Sequence, residues 1–221
     1  MKESPSSNEA PYARHLSRLI RPFPDFDFFF IKPVRQRAVE WLRLKPGGRV
    51  LDMGCGPGGS FPYLVRAIGA SGEVVGVDIS PQSCINARKR VERNGWRNVG
   101  VLEGTAQEAP LSGIFDGVLM FAAPDVFMAE AALENIFLHL RENARVVFFG
   151  AKISDDRLGR LLNPVLRKVV AKLSPATPIP GKAPWTLLAS RVKDLHVEEY
   201  FFGSMFLASG AVAAKSSVKT R

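Results

Sequence analysis

Apolar positions fall at helical spacing in some stretches of this chain and in short unbroken runs in others. After Ser60, the residues Phe61, Leu64, Val65 and Ile68 mark one face of a helix over residues 60–68. Before it, residues 34–44 place Val34, Ala38, Trp41 and Leu42 on one face, and Lys45-Pro46-Gly47-Gly48 supplies a turn signal. Between such segments lie apolar runs too short for helices. The pattern predicts strand 49–53, helix 60–68, strand 73–78, helix 82–94, strand 99–103, strand 115–121, helix 128–140 and strand 145–150. Strands alternating with helices imply parallel βαβ units and a doubly wound sheet. Such strands are buried on both faces, which suits runs that are apolar throughout.

The remaining segments read differently. Residues 157–173 carry Leu158, Leu161, Leu162, Val165 and Val169 on one helical face, with a kink expected at Pro164. A proline-rich loop follows, and Trp185, Leu188, Ala189 and Val192 suggest a last helix. Residues 196–202 and 204–208 are two β-prone runs separated by Gly203. With no helix between them, they must pair antiparallel. Near the start, residues 11–21 place Tyr12, Leu16, Leu19 and Ile20 opposite Arg14, Arg18 and Arg21. A proline-broken aromatic run, residues 22–30, comes next.

The sequence VLDMGCGPGG, residues 50–59, joins the first strand to its helix through a glycine turn. Glycine tolerates positive φ and lets the backbone approach a ligand. Gly54, Gly56 and Gly59 satisfy G-x-G-x-x-G, which also fits a dinucleotide site. Asp52, however, puts a carboxylate where a pyrophosphate would lie. It suits a ligand with a cationic end, such as S-adenosylmethionine (SAM), which has an α-ammonium and a sulfonium. Asp78, at the end of the second strand, can accept hydrogen bonds from two ribose hydroxyls.

VLDMGCGPGG followed by VVGVDIS, residues 74–80, resembles motif I and the acidic motif of class I SAM-dependent methyltransferases. The resemblance spans residues 35–210 and extends, at family level, to methyltransferase type 11 and the small quinone and phospholipid methylases. It implies an α/β, Rossmann-like doubly wound sheet of seven strands, ordered 3-2-1-4-5-7-6 with the last strand antiparallel. The final hairpin agrees with that order and not with a six-stranded dinucleotide fold. It also implies SAM as cofactor and S-adenosyl-L-homocysteine as product. By this resemblance Gly54, Cys55 and Gly56 lie under the methionine part and Asp52 holds the amino end. Asp78 grips the ribose, and Ile79 packs on the adenine. Thr105 stands where the family usually has an acid facing the adenine amino group, and the Ala106 N–H is a further adenine contact. Phe121, at the end of the fourth strand, borders the transferred methyl group.

The expected domains are a disordered polar tail (1–10), an N-terminal helical lid (11–33), the methyltransferase domain (34–210) and a basic flexible tail (211–221). The resemblance implies a methyl group passed to a small, apolar acceptor at N, O or C. The alternatives are a phospholipid amine methylated at a membrane surface, or a SAM-binding protein that does not methylate. The fourth strand lacks the Asn/Asp-Pro-Pro-aromatic signature of exocyclic-amine methylases, and no Pro-Cys nucleophile is present. Nucleic acid is therefore disfavoured as a substrate. No residue stands out as a catalytic base. Asp125 reads equally as a helix cap, His139 as a helix C-terminal residue and Trp185 as core.

Composition narrows the picture further. The 221 residues are 46% hydrophobic, enough for one sizeable core. No apolar run reaches membrane-spanning length, and the polar first residues lack a secretory h-region. Cys55 and Cys84 have neither C-x-x-C spacing nor a histidine pattern, so no metal site is expected. A reducing cytoplasm is the expected compartment, with peripheral membrane contact as the alternative. The net charge of +9 lies in the flanks. Residues 38–151 hold 11 Lys/Arg and 12 Asp/Glu, whereas residues 152–221 hold 12 and 5. An anionic membrane, an anionic substrate, nucleic acid and plain solubility all stay open as readings of that charge.

Overall fold

The computed structural model describes residues 31–161, 163–164, 181 and 183–213. The expected polar tail, most of the lid, the helix expected after Pro164, most of the proline-rich loop and residues 214–221 of the expected basic tail fall outside the described residues.

Helix α1 (Ile31–Trp41) precedes β1 (Arg49–Met53), α2 (Phe61–Ile68), β2 (Glu73–Asp78), α3 (Pro81–Asn94) and β3 (Val99–Glu103). Then come β4 (Phe115–Phe121), α4 (Pro124–Phe127), α5 (Glu130–Leu138), β5 (Leu140–Ala151), α6 (Thr186–Ala189), β6 (Val192–Tyr200) and β7 (Met205–Val212). The seven strands form one sheet in the order β3-β2-β1-β4-β5-β7-β6. The strands β1 to β5 are parallel, and β7 runs antiparallel to both β5 and β6. This is the Rossmann-like methyltransferase sheet that the sequence implied.

Alternate residues of the central strands enter two separate cores. Leu51, Val75, Val118 and Phe148 pack beneath α5, with Phe127, Leu133 and Phe206. Val50, Val74, Leu119 and Val147 pack on the opposite face, with Val34, Ala38, Phe61 and Leu64 from α1 and α2. Both faces are covered, so neither strand residue of a pair needs to be polar. Local chemistry sets the helix ends. The Ser80 hydroxyl accepts the Ser83 N–H at 3.3 Å, Pro81 occupies the first turn, and Gly95 closes α3 at φ 65°.

The boundaries of several elements differ from expectation. Within the described residues helix α1 already includes Ile31, three residues before the expected 34. The helix expected over 128–140 is α5, shortened to Glu130–Leu138, and a separate short helix, α4, precedes it from Pro124. Strand β5 begins at Leu140, which is buried and pairs with Phe115 across an irregular register. Strand β6 starts at Val192, expected in a helix, and stops at Tyr200. Phe201 and Phe202 turn into the left-handed region, at φ 50° and 56°, ahead of Gly203 at 72°. Among the described residues no helix is long and apolar enough to cross a membrane.

Candidate functional site

In an open parallel sheet the ligand crevice lies beyond the carboxyl ends of the strands, where the order reverses. Here that point is the end of β1, between β2 and β4. The turn after β1 is tied to β2, since Gly54 N–H and Cys55 N–H both donate to the Val77 carbonyl, at 2.8 and 3.0 Å. Gly54 has φ 77°, and a Cβ there would lie 2.6 Å from Ala123 Cβ, so the β1 turn touches the loop after β4. Gly56 also has positive φ, 55°, but among the described residues a Cβ there would meet nothing within 4 Å. Gly54 is therefore fixed by packing, whereas Gly56 borders open space.

Two carboxylates flank this turn. Asp78 accepts the Gly56 N–H on Oδ2 at 2.8 Å and the Ser80 N–H on Oδ1 at 2.9 Å. Each oxygen keeps a lone pair for a further donor. Burial raises the Asp78 carboxyl above its ordinary range, although these two N–H groups and the nearby Asp125 charge pull in opposite directions. Asp52 is 1% exposed, and neither of its oxygens has a hydrogen-bond partner. Burial pushes it up to about 7, and the charge of Asp78 adds to this. The Arg35 guanidinium and the adjacent Ser60 hydroxyl pull it down, but neither donates in hydrogen-bond geometry.

Arg35 was not a sequence candidate. It projects from α1 into this corner and is only 6% exposed. Its Nη1 donates to Ser60 Oγ at 2.8 Å, and its Cζ sits 4.1 Å from the centre of the Phe121 ring. Phe121 in turn stacks on Phe149 with ring centres 4.4 Å apart. Ala122, which follows, has φ 61°, a strained conformation for a residue with a Cβ. Its N–H donates to the Phe149 carbonyl at 2.9 Å, which holds the loop after β4 in place.

The other expected residues are arranged around this centre. Cys55 is buried, and burial drives its thiol well above the ordinary range, so it is not a nucleophile. Ile79 directly follows Asp78. The end of β3 is tied to it through the Gly104 N–H, which donates to the Asp78 carbonyl at 3.0 Å. Thr105 Oγ1 accepts the Glu108 N–H at 3.2 Å and so serves its own turn. The Ala106 side chain enters the core, and its carbonyl accepts from Asn135 at 2.9 Å. Asp125 is exposed in the first turn of α4, where no side-chain cap bond forms. His139 ends α5 and lies 3.0 Å from the Gly113 carbonyl. Trp185 packs edge-on against Phe206, at 5.2 Å between ring centres, as a core residue does.

A buried carboxylate without a donor is costly unless a cation normally meets it. The α-ammonium of SAM is such a group, and the open space at Gly56 admits a ligand against the backbone. These residues fit that cofactor. Gly56→Ala should therefore separate folding from binding. The added Cβ meets no atom of the described residues, so the stability loss is the left-handed strain, about 1–2 kcal/mol. SAM affinity, measured by calorimetry on the folded variant, should fall by tenfold or more, on the order of 1.4 kcal/mol.

Residues 50–143 match a family model described as a methyltransferase domain. The chain is 32% identical over 113 residues to a protein-L-isoaspartate O-methyltransferase of Thermotoga maritima, covering 49% of this chain and 33% of the relative. It is 31% identical over 126 residues to a demethylmenaquinone methyltransferase of Bacillus cereus, covering 55% of this chain and 49% of the relative. The chain thus spans half or less of the length of these curated relatives. A crystal structure of a SAM-dependent methyltransferase from Aquifex aeolicus superposes with a TM-score of 0.59 at 19% identity, covering 81% of this chain and 89% of that one. That likeness carries the fold, and the segment that matches the methyltransferase-domain model carries β1 to β4 with the glycine turn and Asp78.

Proposed function

We propose that this protein transfers a methyl group from SAM to a small, hydrophobic acceptor. The observation that carries the reading is Asp52, a buried carboxylate without a partner, set beside the glycine turn whose Gly56 N–H is held by Asp78. Asp52 would hold the ammonium of the cofactor, and Arg35, next to it, its carboxylate end. Asp78 would accept the ribose hydroxyls on its remaining lone pairs. Ile79, Thr105 and Ala106 would line the adenine. Gly54, Cys55 and Phe121 would border the methionine and methyl end.

When bound, SAM supplies an electrophilic methyl group on a sulfonium. What the chain contributes is position and a dry, oriented environment, which can account for much of the rate of such a displacement. The stacked Phe121 and Phe149, with the Arg35 guanidinium on Phe121, give the end of β4 an apolar wall. Asp125, exposed at the same strand end, would be the group to take a proton from an acceptor that must lose one. An apolar wall favours a hydrophobic acceptor, and the demethylmenaquinone methyltransferase among the relatives is named for one.

Calorimetry with SAM, S-adenosylhomocysteine and NADH tests the cofactor reading directly. Both adenosyl ligands should bind with one-to-one stoichiometry and NADH should not. Binding of NADH without SAM would overturn the assignment of the turn. Formation of S-adenosylhomocysteine from SAM in the presence of demethylated quinones, and not of bulk RNA, then tests the acceptor class.

A further inference from the structure

We propose that this site recognises the base of its cofactor through the ring nitrogen N1 and not through the 6-amino group, so that it accepts adenosyl ligands and analogues altered at the purine 6-position. The inference rests on the proposed binding of SAM, in which Asp78 holds the ribose. A base attached to that ribose reaches the end of β3, because the Gly104 N–H donates to the Asp78 carbonyl at 3.0 Å and brings residues 104–106 alongside. Two polar groups are available there, and they differ in what they demand of a ligand.

The first is a backbone donor. Ala106 is only 8% exposed, its side chain packs in the core, and its carbonyl accepts from Asn135 at 2.9 Å. Among the described residues nothing accepts its N–H. A buried N–H left unpaired costs about as much as a lost hydrogen bond, so this one requires an acceptor from outside the fold. Adenine supplies one in N1, whose lone pair lies in the plane of the ring. The side chain and carbonyl of Ala106 are fixed already, so the donor is held in place before a ligand arrives.

The second is the Thr105 hydroxyl. Its oxygen accepts the Glu108 N–H at 3.2 Å, which leaves one lone pair and the O–H proton. Such a hydroxyl can accept from an amino group or donate to an oxygen. Thr105 is half-buried, so the hydroxyl can also turn to water when the base provides neither. A carboxylate at this position would behave differently. It only accepts, its bond to an amino group is charge-assisted, and it repels any acceptor at position 6. Strong discrimination comes from buried groups that the wrong ligand leaves unpaired. The Ala106 N–H is such a group and the Thr105 hydroxyl is not. Position 6 is therefore read permissively and N1 strictly.

Competition against bound S-adenosylhomocysteine, followed by calorimetry on the full chain, tests this with adenosine and two analogues. Purine riboside, which lacks the 6-amino group, should bind within about threefold of adenosine. 1-Deazaadenosine, which keeps the amino group and has C–H in place of N1, should bind about tenfold more weakly or worse, because the buried donor loses its acceptor. Thr105→Asp should create a preference that the wild type lacks. Aspartate can still accept the Glu108 N–H, so the turn is kept. Adenosine should then bind about tenfold or more tightly than purine riboside, the gain from a charged acceptor. The proposal is overturned by a wild-type preference for adenosine over purine riboside beyond about threefold, whichever residue supplies it, or by 1-deazaadenosine binding as well as adenosine. A folded Thr105→Asp protein with an unchanged ratio also overturns it; if that variant does not fold, the wild-type ratios decide. If SAM and adenosine bind but the ratios are wrong, this inference alone falls. If neither SAM nor any of the nucleosides binds, the proposed function falls and this inference with it.

Discussion

Asp52→Asn should make the protein more stable at pH 8 while removing measurable SAM binding. Asp52 is buried, lacks a hydrogen-bond donor and is pushed from an ordinary 3.8 up to about 7. The native state therefore holds this proton more tightly than the unfolded chain does. The stabilisation from the protonated form is complete below about pH 4 and is lost as pH rises through about 7. A shift of this size corresponds to about 4 kcal/mol at most, because one pKa unit is ~1.4 kcal/mol. Asparagine is neutral throughout, so the urea midpoint of the variant should be flat where that of the wild type falls, between about pH 4 and 7. Binding should respond with the opposite sign. An ammonium placed against Asp52 favours the carboxylate, so SAM affinity should rise with pH through about 7, with release of a proton on binding. Without that carboxylate the ammonium is left buried and unpaired, a loss of about 3–5 kcal/mol, or about 10²–10⁴ in affinity. Unchanged SAM affinity in the variant, or lower stability than the wild type at pH 8, would remove Asp52 from the site.

The sheet and the turn after β1 were legible in the sequence because their constraints are local. A glycine at φ 77° with no room for a Cβ, and an acid directly after an apolar strand, leave marks at single positions. The final hairpin was legible because two strands with no helix between them have one way to pair. Arg35 was not legible. Between Val34 and Gln36 on an amphipathic helix it reads as a solvated residue. It is buried only because α1 lies across Ser60 and the end of β4, which contact it from far along the chain. The strain at Ala122 has no sequence mark either, since nothing in Phe121-Ala122-Ala123 requires a positive φ; it comes from fastening the loop to Phe149. Thr105 was placed correctly after β3, but periodicity could not show that its hydroxyl is already engaged by Glu108. The start of β5 was missed for a related reason. A paired Leu140 is decided by neighbours, not by apolar spacing.

Asp78→Ala should abolish SAM binding by a different route, and the fragments of the cofactor distinguish the two. Asp78 has two tasks. It fixes the Gly56 and Ser80 N–H groups, and it presents its remaining lone pairs to the ligand. Its removal leaves two backbone donors without their acceptor, at about 1–3 kcal/mol each where water cannot reach them. Relief from a buried carboxylate, whose acidity burial already weakens, offsets part of that loss. The variant should therefore fold, with a modestly lower urea midpoint. Hydrogen bonds to a charged acceptor contribute about 1.5–3 kcal/mol each, so losing both ribose contacts weakens SAM by about 10²–10⁴. Adenosine, which carries the ribose but no ammonium, should bind the wild type and Asp52→Asn equally and fail to bind Asp78→Ala. Asp78→Asn should not restore binding. One of its two side-chain atoms becomes an NH₂ that meets a backbone N–H, donor against donor, whichever way the amide is turned. Adenosine affinity within about threefold of wild type in a folded Asp78→Ala protein would mean that the ribose is held elsewhere, and that Asp78 only shapes the turn.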